Sequence, residues 1–179
     1  MKTEVKKLHL GCGDNIKKGY INLDYMKQSG IDVVHDINNF PWPFKSHTFN
    51  EVYTSHVLEH VDNLIKTMLE MHRICKNGAK IKIRVPHFSC GVTYRDPTHK
   101  RGFSYFTFDY FSIQKNYYKR KESGMFKINQ RRLNFTRFAF PFLNKIFNPI
   151  ININPGIYER FICWILPCSE ALFELEVIK

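Results

Sequence analysis

The sequence predicts an α/β domain built on a largely parallel sheet, on three observations. Short β-branched runs recur through the first half of the chain, each followed by a polar or glycine-bearing connector. One strongly periodic helix lies between two of these runs and makes a strand–helix–strand unit, which calls for parallel strands. The chain has 179 residues, a length for one domain with a core that needs no staples.

The elements follow in order. Val5–Leu10 reads as the first strand and stops at Gly11. Tyr20–Asp24 (YINLD), Ile31–Asp36 (IDVVHD), Glu51–Ser55 (EVYTS) and Lys80–Val85 (KIKIRV) are the next four, the last closed by Pro86. Each has the length of a buried strand, and several end on an acid or a hydroxyl. Before the fifth strand, Leu64, Ile65, Met68, Leu69, His72 and Cys75 recur at helical spacing. Asp62 is the expected cap of that helix and Asn77-Gly78 its expected stop. Beyond Pro86 aromatic and basic residues interleave. There, Thr107–Ile113 reads as a short helix, Met125–Asn134 as a strand, Tyr158–Leu166 as a helix stopped by Pro167, and Ala171–Ile178 as a terminal strand. No long helix separates the two late strands, so they are expected to pair antiparallel at a sheet edge.

Composition narrows the function classes. Aromatic residues make up 15% of the chain, which excludes a disordered protein. The longest clean apolar run, near Phe161–Leu166, is far short of the ~18 residues of a spanning helix. The opening residues lack the apolar run of a signal peptide, so a cytoplasmic protein is expected. Lys and Arg number 27 against 16 Asp and Glu, a net charge of +11 that suits an anionic partner or a solvated basic surface. The five cysteines form no CxxC pair, against a disulfide scaffold or a zinc ribbon.

The chemistry-bearing residues begin at Gly11-Cys12-Gly13, directly after the first strand. Glycines there allow a sharp turn and a close approach to a ligand, and ligands of open α/β sheets bind at the carboxyl ends of strands. Asp24 and Asp36 end the second and third strands, where acids accept hydrogen bonds from ribose hydroxyls or an adenine amino group.

These residues carry a resemblance. LHLGCGDN, GYINLD, DVVHDIN, PWPF, FNEVYTSHVLEHV and KIKIRVPHF resemble class I S-adenosylmethionine-dependent methyltransferases, and most the small bacterial type-11 branch. The resemblance runs from about residue 5 to 90 and continues more loosely through YRDPTHKRGFSYFTFDYF and FELEVIK. It implies a Rossmann-like, mostly parallel sheet of order 3-2-1-4-5-7-6 with strand 7 antiparallel. Residues 1–90 are then the cofactor-binding half of one domain spanning 1–179, and residues 91–179 supply acceptor-side segments and edge strands. It also implies that S-adenosylmethionine is the cofactor. Gly11, Cys12 and Gly13 would hold its methionine part, Asp24 its ribose and Asp36 with Ile37 its adenine. Ser55 and His56 would form the floor beside the sulfonium.

The sequence departs from that family in its connectors. Between Gly13 and Tyr20, and again between Tyr25 and Gly30, there are fewer than the roughly 10–12 residues of a full crossover. The helices after strands 1 and 2 are therefore reduced. Because parallel sheets are buried on both faces, the bared face is expected to be covered by chain from elsewhere or by another subunit.

On the acceptor side, His56, Glu59, His60 and His99 are the candidate catalytic groups, since imidazole and carboxylate move protons near neutral pH. Glu59 and His60 can equally brace the loop before the helix. His87, Tyr94 and Asp96 are candidates for binding the acceptor. A metal site of His87, Cys90, Asp96 and His99 lacks structural-zinc spacing, and no catalytic metal is expected. Phe103, Tyr105, Phe106, Phe108, Tyr110 and Phe111 read mostly as core. The basic residues 115–121, with Arg131 and Arg132, fit phosphate contacts or a solvated face.

Methyl transfer to an oxygen or nitrogen of a small-molecule or saccharide-type acceptor is the expected activity. The other readings are an RNA-modifying or nucleic-acid-binding protein and a non-catalytic scaffold. The apolar segment from Phe135 to Pro167 is expected to be broken by Pro141, Pro149, Pro155 and Pro167, leaving no long helix. It is read as a lid over the bared sheet face, with a peripheral membrane contact as the alternative.

Overall fold

A computed structural model describes residues 6–113, 123–137 and 140–179. Seven strands form one sheet in the order β3-β2-β1-β4-β5-β7-β6. They are β1 (Lys7–Leu10), β2 (Ile21–Asp24), β3 (Val33–Val34), β4 (Phe49–Ser55), β5 (Cys75–Pro86), β6 (Phe126–Asn134) and β7 (Glu170–Val177). β3, β2, β1, β4 and β5 run parallel, and β7 runs antiparallel to both β5 and β6. The order and the one reversed strand are those implied by the resemblance.

The helix α1 (Leu64–Ile74) starts one residue later than expected: Asn63, not Asp62, caps it, accepting from the Lys66 N–H at 3.0 Å. Its end also differs. Cys75 already belongs to β5, and Asn77-Gly78 lies inside that strand, so the chain passes from helix to strand without a loop. The cause is pairing, because Cys75 stands opposite Phe49 before a bulge resets the register. No helix stands between β1 and β2 or between β2 and β3.

The bared face is not covered as expected; it is polar. Parallel register puts Leu8, Ile21, Val52 and Ile81 on one face and His9, Asn22, Tyr53 and Lys82 on the other. The first set, with Leu10, Leu23 and Ile83, packs into the core against Met68, Met71 and Trp42. The second face is tied by charge: Lys82 bonds Glu51 at 3.1 Å, Lys80 bonds Glu174 at 3.1 Å, and Tyr20 donates to Glu51. Lys17 lies over the Tyr53 ring at 4.4 Å. KIKIRV alternates strictly, which is the pattern of a half-buried strand; reading it as buried on both faces overlooked the period. At β1 and β2 the short connector itself closes this face: His9 and Asn22 are buried, and the Lys17 N–H donates to Asn22 Oδ1 at 2.9 Å.

The C-terminal half departs further. Phe103, Phe108 and Phe111 are core, as expected. Thr107–Phe111 is a 3-10 turn. The helix α3 (Leu143–Ile153) forms despite Pro149, which sits inside it. Pro155–Ile157 and Tyr158–Ile162 are successive helical turns, the second of π type. This segment does not lie over β2 and β3. Its asparagines bond to the end of β6, at the opposite edge of the sheet. The basic run 115–121, Val5 and Phe138 lie outside the described residues.

Candidate active site

A cleft of about 670 Å³ opens at the carboxyl ends of β1, β2 and β4. That is within the usual size of small-molecule sites, roughly 300–1,000 Å³. Gly11 and Gly13 form its inner wall, both at positive φ (+65° and +49°). The two glycines differ. A side chain at Gly11 would meet Val57 at 2.4 Å, so this glycine lets two loops pack. A side chain at Gly13 would meet nothing within 4 Å; it would enter open space at the cleft. Asp24 fixes the loop, with Oδ2 accepting from the Gly13 N–H at 2.8 Å and Oδ1 from the Met26 N–H at 3.2 Å.

Asp36 and Ile37 line the far part of the cleft beside Asn38, whose N–H donates to Asp36 Oδ1 at 2.9 Å. Asp14 adds a third carboxylate to the lining. Of the expected cofactor residues, Gly11, Gly13, Asp24, Asp36, Ile37 and His56 reach the cleft. Cys12 does not: its side chain is buried. Ser55 does not line it either. Sequence reasoning missed Gln28, whose amide donates to the Gly13 carbonyl at 2.7 Å, and also Tyr25 and Met26. Tyr25 and Met26 directly follow Asp24, so proximity to a strand-end acid was the available signal.

The candidate catalytic groups separate into two roles. His56, at φ +57°, is clamped: Nδ1 faces Glu59 Oε1 at 3.1 Å and Nε2 faces Glu170 Oε1 at 2.7 Å. Burial lowers its pKa, but the hydrogen bonds to the two carboxylates outweigh burial and raise it. Both ring nitrogens face carboxylate oxygens, which favours the protonated ring over the neutral one. Burial also opposes ionisation of Glu170, yet His56 and Arg84 hold its carboxyl down to about 2.

His60 lines the cleft with Thr98. The Thr98 hydroxyl donates to Asp96 Oδ1 at 2.6 Å and so accepts from His60 Nδ1 at 2.9 Å. That chain leaves the His60 Nε2 lone pair free. His99 is similar: Nδ1 donates to the Thr93 carbonyl at 3.1 Å, and its ring lies 4.7 Å from that of His60. Glu59 is fully buried and its Oε2 has no hydrogen-bond partner. One ligand atom each of Glu59, His60 and His99 lie within 4.8 Å of one another, so this group can hold a divalent cation. Of His87, Cys90, Asp96 and His99, the set whose spacing argued against a metal site, only His99 belongs to this group.

The acceptor-binding candidates fare worse. His87 is fully buried between Ser89 Oγ (2.8 Å) and Glu159 (3.1 Å), a core histidine satisfied on both nitrogens. Tyr94 is exposed on the short helix α2 (Val92–Arg95) and does not line the cleft. Asp96 acts on Thr98 rather than on the cleft itself.

Residues 8–83 match the family model described as a methyltransferase domain. That match spans β1 to β5, so the cofactor-side half of the chain is similar to methyltransferase domains. No curated protein matches its sequence. Among solved structures it is similar to an S-adenosylmethionine-dependent methyltransferase from Archaeoglobus fulgidus, with 16% identity and a TM-score of 0.61, over 98% of this chain and 87% of that one. It is similar also to one from Mesorhizobium loti, with 14% identity and a TM-score of 0.55, over 97% and 93%. The [4+2]-cyclase SpnF shares the fold too, at 12% identity and a TM-score of 0.58, over 99% of this chain and 77% of that one. Likeness at these identities is likeness of fold. The chemistry of this chain has to be read from its own cleft.

Proposed function

We propose that the cleft binds S-adenosylmethionine and that the chain methylates an oxygen or nitrogen of a small-molecule or saccharide-type acceptor. The observation that carries this reading is Asp24. It closes β2 inside the cleft and orders the glycine loop through Gly13, with lone pairs left for a ribose diol. The open space at Gly13 is a cradle that a side chain would fill. Asp14, Asp24 and Asp36 give the lining an acidic character that suits a cationic sulfonium and repels a polyanion. That favours a small donor and acceptor over nucleic acid at this site.

When bound, the donor supplies an activated methyl group, and the bonding pair of the broken C–S bond stays on sulfur. The chain's residues do the rest. Gly11 and Gly13 allow close approach, and Asp24, Asp36 and Ile37 orient the nucleoside. His60 Nε2 takes the acceptor's proton, the Thr98–Asp96 chain holding its ring in the required tautomer. The test is transfer of a labelled methyl group in cell extract. His60→Gln is expected to cut the rate about 10²–10⁴-fold with cofactor affinity unchanged. Full activity in that variant would remove His60 as the base.

The partnerless Oε2 of Glu59 favours a second reading, in which Glu59, His60 and His99 bind a divalent cation that acidifies an acceptor hydroxyl. Calorimetry with zinc or manganese separates the two readings. Stoichiometric binding lost in Glu59→Gln supports the cation, and no binding leaves His60 as the base.

A further inference from the structure

We infer that α3 and the turns after it form a docking surface for an anionic lipid bilayer. The helix is built inside out. Asn144, Asn148 and Asn152, four residues apart, face the protein and satisfy the end of β6. Their Oδ1 atoms accept from the N–H groups of Thr136 (3.0 Å), Phe135 (2.7 Å) and Leu133 (2.8 Å). Two of their amides return bonds to the Thr136 and Leu133 carbonyls. The polar stripe is thereby spent inward, on an edge strand that would otherwise offer its backbone to another chain.

The outward stripe is apolar. Ile146, Ile150 and Ile153 recur at helical spacing on the opposite side, and Ile153 is 82% exposed. The turns that follow continue it with Phe161, Trp164 and Ile165, the last 85% exposed. A soluble domain rarely leaves so much contiguous apolar side chain in water without a partner.

Charge and geometry select the partner. Between Thr136 and Ser169 the only carboxylate is Glu159, and it is turned inward, bonded to His87, Ser104 and the Tyr105 N–H. The exposed charges of that stretch are Arg137, Lys145 and Arg160, all cationic, with Arg137 drawn to Glu170 at 3.4 Å, on a chain of net charge +11. An apolar face rimmed by cations with no outward anion complements a negatively charged lipid surface. At 11 residues α3 is far too short to cross a bilayer, and no helix among the described residues is long and apolar enough to do so. The helix therefore lies in the interface plane, where an exposed Trp side chain is at home. A second protein copy fits less well, because the asparagines that would set its register are already used on β6. Lipid needs no register.

The surface sits at the far edge of the sheet from the cleft, but β6 runs parallel to β5, so both lie at the carboxyl ends of their strands. Vesicle flotation tests the inference. The intact protein should float with phosphatidylcholine–phosphatidylglycerol vesicles, much less with phosphatidylcholine alone, and less as salt rises. The double variant Ile150→Ser, Ile153→Ser should bind the anionic vesicles at least about tenfold more weakly. Its melting temperature and S-adenosylhomocysteine affinity should stay unchanged, since neither residue touches the core or the cleft. No partition into anionic vesicles at low salt would overturn the inference. So would equal flotation of the double variant. A lipid-free dimer that dissociates on the same substitutions would also overturn it and give the face to a second copy.

Discussion

α1 and α3 are both 11 residues long, and they face opposite ways. α1 turns Met68, Met71 and Ile74 to the sheet, where each is fully buried. α3 turns asparagines to the sheet and isoleucines away from it. The difference teaches that helical periodicity identifies an apolar face but not what that face meets. The carboxyl end of β6 decides it for α3: exposed strand backbone is better satisfied by three amide side chains than by aliphatic ones.

The largest expected effect breaks the symmetry between the helices outright. Met71→Ala should cost about 2–5 kcal/mol in denaturant unfolding, because it opens a cavity under α1. Ile150→Ala should change stability by less than about 0.5 kcal/mol. Similar losses for the two would show that the outer stripe of α3 is packed against protein.

Glu170 joins the two regions, since it holds His56 at the cleft and also accepts from Asn134 Nδ2 at the end of β6 (3.3 Å). Glu170→Gln should cost about 3 kcal/mol near pH 6, because the partly exposed His56 and Arg84 both lose the buried carboxylate they pair with. The sign with pH follows from both groups. Glu170 ionises at about 2 against an ordinary 4.5, so its contribution is present above 4.5 and fades as pH falls toward 2. His56 is raised above 6.5, so its contribution is full below 6.5 and fades as pH rises through the raised value. The melting-temperature gap between wild type and variant should therefore be widest near pH 5–6 and close in strong acid. A gap that persists unchanged to pH 2 would contradict the ion pairing.

A smaller effect sharpens the account of α3. Asn148→Ala removes the acceptor of the Phe135 N–H and the donor to Asn134 Oδ1. It should cost about 1–3 kcal/mol, more than any single change on the outer stripe. Hydrogen exchange should show the Phe135 amide losing protection. Unchanged exchange would mean that the helix is held some other way.

The first half of the fold was legible because local signals and tertiary roles coincide there. Gly11, Gly13, Asp24 and Asp36 sit at strand ends, and strand ends are where such sheets bind ligands. Spacing alone could not show how the His56 ring is held, because Glu170 lies 114 residues away. The burial of His87 was hidden in the same way, since its partner Glu159 lies 72 residues away. The expected breaks at proline failed at Pro149, where a turn of helix tolerates the missing donor. The i, i+4, i+8 asparagines were in plain view, but their meaning depends on the end of β6 beside them. Strict alternation in KIKIRV was also visible, and it announced the polar face directly.

The central claim is that the Gly11–Gly13 loop and Asp24 bind the cofactor, and calorimetry with S-adenosylhomocysteine tests it most directly. The wild-type protein should bind one equivalent. Gly13→Val should abolish binding while keeping a cooperative melt, because its side chain enters the cleft and strains the loop at φ +49° without reaching the core. No binding by the wild type, or undiminished binding by Gly13→Val, would contradict the claim.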